Sequence, residues 1–165
     1  DVQAQEFLLK ALQNAPSLEF GRRALAMSYL RTGQSSKAMD TLKPALQAAS
    51  PDPIWLKLAG DAHMQSGNAK EAEDQYRAAA AADPKNQQFK TALAMARLRS
   101  GNAEQALADL EQIASVDTAG TADVALVSSH MARKRYDKAL SAIAALEKKQ
   151  PANLAVHNMR GAALI

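Results

Sequence analysis

Apolar residues along this chain recur with the period of an α-helix and break off at short polar turns. In residues 69–83, Ala72, Tyr76 and Ala79 stand at i, i+4 and i+7, which places all three on one helix face. The preceding stretch repeats the device, with Leu56, Ala59, Gly60 and His63 forming one stripe. Between the two lies SGNAKEAE (66–73), and a near copy, SGNAEQAL (100–107), returns 34 residues later. Gly33, Gly67 and Gly101 share that spacing, and each is followed five residues on by alanine: Ala38, Ala72 and Ala106. A glycine just past a helix ends it in the left-handed conformation without a Cβ penalty. Gly60 and Ala72 are small enough to let the two helices approach closely. The octapeptide therefore reads as the turn of a repeating helix hairpin and not as a catalytic loop.

The period divides the chain. Residues 1–18 read as the second helix of a preceding repeat, closed by Pro16; residues 19–52, 53–86, 87–119 and 120–153 as four repeats; residues 154–165 as the first helix of a truncated one. With Gly60, Gly67, Ala72, Tyr76, Ala79 and the closing Asp83-Pro84, the second copy resembles the tetratricopeptide (TPR) family, whose period is 34. That resemblance implies an all-α fold, a right-handed superhelical solenoid of about ten helices, with residues 1–165 a single piece of a longer array. The first copy carries Ala26, Tyr29, Gly33, Ala38, Leu42 and Ala45, with Pro51 one place late. The third has Leu93, Ala94, Gly101, Ala106, Leu110 and Ala114, is one residue short, and has Thr118 for the closing proline. The fourth has Leu126, Ala139, Ile143 and Pro151, but Lys134 replaces the turn glycine. A left-handed lysine costs roughly 1 kcal/mol, so a different turn geometry is expected there. Pro44 inside a second helix predicts a bend. The last helix, with Val156, Met159, Leu164 and Ile165, is expected to expose an apolar stripe that invites self-association.

Composition narrows the chemistry. Aromatics make up only 4% of the chain, which suits helices packed through small side chains and argues against a β-rich fold. A net charge of +3 without a long Lys/Arg run gives no reason to expect nucleic acid. The chain has no cysteine, which excludes disulfides, thiolate metal sites and a cysteine nucleophile. No apolar run approaches a membrane span, and residues 1–15 lack a signal-peptide pattern. His63, His130 and His157 belong to no H-E-x-x-H motif or carboxylate cluster, so no metal is expected and the histidines read as satisfied and half-buried. Trp55 is expected to pack on the preceding repeat. Arg22, Lys90, Arg97 and Asp123 at core positions predict polar seams, while Glu71, Glu73, Asp74, Glu104 and Asp109 are placed on a solvated outer face. No nucleophile elbow, phosphate loop or dinucleotide motif occurs, so neither catalysis nor a cofactor is expected.

A second stripe on each first helix, at repeat positions five, nine, twelve and thirteen, faces the inside of a superhelix, where TPR proteins usually bind partners. It comprises Arg23, Met27, Leu30 and Arg31; Lys57, Asp61, Met64 and Gln65; Thr91, Met95, Leu98 and Arg99; and Val124, Ser128 and Met131. Methionines suit a groove that takes varied apolar side chains, and the basic residues suit an acidic segment or a terminal carboxylate. The alternative is that the methionines fill space between adjacent first helices. TPR domains that clamp acidic chaperone tails resemble one another in a Lys/Asn/Asn/Lys/Arg set. Here Arg23, Met27, Leu58, Gln88 and Ala92 stand at those positions, so that ligand is not expected. Residues 136–161, YDKALSAIAALEKKQPANLAVHNMRG, resemble the TPR-repeat lipoproteins (PrsT-type) of the bacterial PEP-CTERM/exosortase exopolysaccharide system. This resemblance implies a periplasmic location, with the membrane reached only through a lipid anchor outside this segment. The expected function is a non-enzymatic scaffold binding a peptide or protein partner. The alternative is the substrate-recruiting region of a larger enzyme such as a glycosyltransferase. Direct polysaccharide binding is disfavoured, because the groove offers few aromatics.

Overall fold

The computed structural model describes residues 2–164. Among them are ten helices and no strand: α1 (Val2–Asn14), α2 (Glu19–Arg31), α3 (Ser35–Leu46), α4 (Pro53–Gln65), α5 (Ala69–Ala82), α6 (Gln87–Ser100), α7 (Ala103–Val116), α8 (Thr121–Ala132), α9 (Tyr136–Lys149) and α10 (Leu154–Ala163). They fall into two compact units, Asp1–Lys85 and Asn86–Ile165.

In the first unit the hairpins α2–α3 and α4–α5 stack, with α1 packed on α2. Asp52 caps α4 by accepting the Ile54 N–H at 2.7 Å, with Pro53 at the first helical position where its missing N–H costs nothing. Trp55 is buried with Ala26, Leu42, Leu58 and Ala59, so it packs on the preceding hairpin. Leu8 and Leu12 of α1 cover a second cluster of Leu25, Tyr29 and Ala38. Within α4–α5 the Tyr76 ring packs against Gly60, where a Cβ would sit 2.5 Å from Cε1. The Tyr76 hydroxyl donates to Asp61 Oδ1 at 2.8 Å, and Lys57 donates to Asp61 Oδ2 at 2.6 Å. Pro44 is exposed near the end of α3, which runs only to Leu46. The missing donor thus affects the last turn alone.

In the second unit, α6–α7 and α8–α9 stack and α10 follows. One core cluster holds Ala94, Leu107, Leu110, Ile113, Ala122, Ala125 and Leu126. The other holds Val127, Ile143, Leu146, Val156 and Ala163. This corrects the expectation for α10: Val156 is only 1% exposed and Met159 packs beside it, because positions i, i+3 and i+7 from Val156 to Ala163 face α9. Leu154 and Leu164 are the exposed apolar residues, and Ile165 lies outside the described residues.

The short third repeat closes on a polar loop instead of proline. Asp117 is buried and accepts the N–H groups of Ala119 (2.8 Å) and Ala122 (3.1 Å). Burial works to raise its pKa, but the N–H groups of Ala122, Ala119 and Thr121, with Lys149, together hold it below the ordinary value. Gly120 turns left-handed at φ 77° beneath Leu146 and Gln150, leaving no room for a Cβ. Lys149 bonds the buried Asp123 carboxylate and, at 2.7 Å, the Ala114 carbonyl. The polar seam expected at Asp123 is therefore this pair. At the α8–α9 turn Lys134 takes φ 56°, so the expected change of geometry does not occur. The Arg135 N–H donates to the His130 carbonyl at 2.9 Å, as Asn68 does to His63 and Asn102 to Arg97. The hydrogen-bonded turn, not the glycine, enforces the left-handed residue.

Candidate functional site

On the first unit, α2 and α4 lie side by side and bring eight of the expected face residues together. At the C-terminal end Gln65 donates to the Leu30 carbonyl at 2.8 Å and ties the two helices. Leu30 is half-buried against both core clusters, Met64 is half-buried, and Arg31 and Gln65 are exposed. Met27 is 52% exposed and presents its side chain outward. Asp61 is occupied by Lys57 and Tyr76, so it acts as an internal counter-ion. Arg23 is half-buried with no hydrogen bond or ion pair among the described residues.

At the N-terminal ends of the same two helices a cleft of about 220 Å³ opens, lined by Glu19, Phe20, Arg23, Asp52, Ile54 and Trp55. Phe20 is 70% exposed and Ile54 36%. Phe20, Arg23 and Met27 stand at i, i+3 and i+7, one continuous stripe. The sequence pattern of positions five, nine, twelve and thirteen omits Phe20 and Ile54, both at position two. The available signal was an aromatic one turn ahead of Arg23 on the same face.

On the second unit, α6 and α8 are neighbours. Thr91 departs from the expected face: it is buried and its hydroxyl donates to the Gln87 carbonyl at 2.8 Å. Met95 and Leu98 pack on the first core cluster, and Val124 and Met131 on the second. Met95 and Leu98 pack beside the small Ala94, Ala122 and Ala125 of the first cluster. Arg99 and Ser128 remain exposed.

A larger cleft of about 390 Å³ lies between α6 and α7, with Leu93, Ile113 and Val116 as its apolar wall and the Arg97–Asp109 pair across it. None of the expected face residues lines it. The cleft corrects the reading of Asp109 as a solvated residue, since Asp109 is half-buried and paired. Glu73 is likewise buried and bonds Arg77 at 2.7 Å. Both acids lie on helix faces that sequence spacing alone assigns to solvent; Asp109 pairs with Arg97 of the facing helix, and Glu73 with Arg77 one turn along its own helix.

His130 is only 3% exposed and its Nδ1 has no partner, contrary to the expectation of a satisfied ring. Burial lowers its pKa, Lys138 adds to that, and Glu111 opposes it. His63 is half-buried, and His157 lies 3.6 Å from Glu147. Among the described residues no three His, Asp or Glu side chains converge to hold a metal, and no helix is long and apolar enough to cross a membrane.

Residues 23–87 and 91–153 match the tetratricopeptide repeat family. No curated protein matches the chain significantly. Among solved structures it is similar to a thermophilic TPR protein of Thermus thermophilus, with a TM-score of 0.83 at 18% identity, covering 97% of this chain and 88% of that one. It is also similar to YrrB, described as a TPR protein with an unusual peptide-binding site (TM-score 0.70, 17% identity, 96% and 82% covered). MamA gives a TM-score of 0.71 at 17% identity, with 89% and 86% covered. At these identities the likeness is one of fold.

Proposed function

The chain belongs to the tetratricopeptide repeat family, and from that premise we propose that it is a non-enzymatic scaffold binding a peptide or protein partner along its first-helix faces. The observation that carries this reading is the stripe of exposed Phe20 and Met27 with half-buried Arg23 between them on α2, beside half-buried Lys57 and Met64 on α4. Helix pairs locked by buried cores hold such a face ready, so little ordering entropy is lost on binding. YrrB, of similar fold, is described as carrying a peptide-binding site. The resemblance of residues 136–161 to PrsT-type lipoproteins supports a setting in bacterial envelope exopolysaccharide or protein-sorting machinery, with these repeats in the periplasm. Fractionation of cells producing the parent protein tests that setting, and recovery in the cytosol overturns it.

A photo-crosslinking residue placed at position 27 or 99 identifies the partner. Its affinity is then measured against Met27→Glu and Arg99→Glu. Loss in either variant is expected; undiminished binding to both overturns the use of these faces.

A further inference from the structure

Resting on the reading of the first-helix faces as a partner surface, we propose that the cleft between the N-terminal ends of α2 and α4 seats one apolar side chain of an extended peptide. In that peptide a basic residue lies two positions to one side of the apolar residue and an acidic residue two positions to the other.

Size comes first. At about 220 Å³ the cleft is smaller than small-molecule pockets, which run to roughly 300–1,000 Å³. It fits a single side chain. Its walls are Phe20 and Ile54, both exposed, and its floor is Trp55, which Ala26, Leu42, Leu58 and Ala59 hold from below. Nothing within the unit covers Phe20, so its burial becomes available only to a partner.

Charge then selects the flanks. Glu19 and Asp52 lie at the outer end of the cleft and Arg23 one turn further along α2. Glu19 and Arg23 have no hydrogen bond or ion pair among the described residues, and Asp52 uses one oxygen, Oδ1, to cap Ile54. The cleft is thus bipolar along the helix axis, acidic before its apolar walls and cationic after them. In an extended chain residues i−2, i and i+2 share one face at steps of about 7 Å. That spacing lets the apolar residue enter the cleft while long flanking side chains reach the carboxylates and the guanidinium. Reversing the peptide direction exchanges the two flanks, so it is the presence of both signs that matters.

The test uses the whole chain and labelled peptides of the form Lys-Ser-Phe-Ser-Glu, Lys-Ser-Phe-Ser-Lys and Glu-Ser-Phe-Ser-Glu, capped by serines, in fluorescence anisotropy at low salt. The Lys/Glu peptide is expected to bind about fivefold more tightly than either single-sign peptide. Phe20→Ala weakens all three about tenfold. Arg23→Glu makes the cleft wholly acidic and shifts the preference to the Lys/Lys peptide, a gain that an unfolded variant cannot produce. Equal binding of the three peptides, absence of binding, or an unchanged preference in Arg23→Glu overturns the proposal. If Met27→Glu abolishes capture of the crosslinked partner while Phe20→Ala and Arg23→Glu leave it unchanged, the partner face stands and the cleft does not. If neither these three variants nor Arg99→Glu affects it, both readings fall.

Discussion

Gly60 and Gly161 occupy the same position of the repeat, yet replacing each with alanine should move stability in opposite directions. A Cβ on Gly60 would lie 2.5 Å from Tyr76 Cε1, 2.7 Å from Cδ1 and 2.8 Å from Cζ, too close for carbon contacts. The ring cannot simply swing away, because its hydroxyl is bonded to Asp61 and Asp61 is bonded to Lys57. Overpacking of this kind costs about 1–3 kcal/mol, and loss of a hydrogen bond to a charged group adds about 1.5–3 kcal/mol if the ring does move. Against this, alanine is favoured over glycine in a helix by about 1 kcal/mol. The net expectation for Gly60→Ala is a destabilisation of about 2 kcal/mol. A Cβ added at Gly161 would meet nothing within 4 Å beyond its own helix backbone, so Gly161→Ala keeps only the propensity gain of about 1 kcal/mol. Urea denaturation followed by circular dichroism in the far ultraviolet reads both changes. A double-mutant cycle of Gly60→Ala with Tyr76→Ala should show coupling, since removal of the ring removes the clash. A Gly60→Ala protein as stable as the parent, or strict additivity in the cycle, refutes the close-approach argument.

Three further outcomes are expected. Lys134→Gly relieves a left-handed lysine and should stabilise the chain by about 1 kcal/mol; a loss of stability in urea would mean the lysine side chain makes a compensating contact. Lys149→Met strands the buried Asp123 carboxylate and should cost about 3 kcal/mol, whereas the double variant Lys149→Met/Asp123→Leu should recover most of that loss. For pH, His130 has a folded pKa lowered first by burial and then by Lys138, with Glu111 opposing and Arg135 and Arg133 adding to the effect. The unfolded chain therefore binds the proton more tightly. Its contribution is fully present above the unfolded value of about 6.5 and is lost as pH falls through the lower folded value. His130→Phe should flatten this acid-side fall in denaturation midpoint, and an unchanged slope would assign the pH dependence elsewhere.

Much of the architecture was legible without coordinates because its causes are local. The 34-residue recurrence, the glycines after α2, α4 and α6, and the small seats at Ala38, Ala72 and Ala106 follow from helix period and left-handed turn chemistry. The candidate face was legible only in part. Helical spacing correctly pairs Arg23 with Met27 on one side of α2, but the same rule places Thr91 and Met95 outward, whereas α6 packs them inward. Spacing along one helix specifies a direction; whether that direction meets solvent depends on how near the next helix comes.

What the sequence by itself determined is the order, length and hairpin pairing of the helices, since hydrophobic period and turn residues act over a few neighbours. Tertiary structure alone decided that Asp109 of α7 pairs with Arg97 of α6 and that Asp123 finds Lys149, 26 positions away. It also decided that Phe20 and Ile54, 34 residues apart, face each other over Trp55. Each of these depends on the distance between side chains brought together by packing, a quantity that no window along the chain contains.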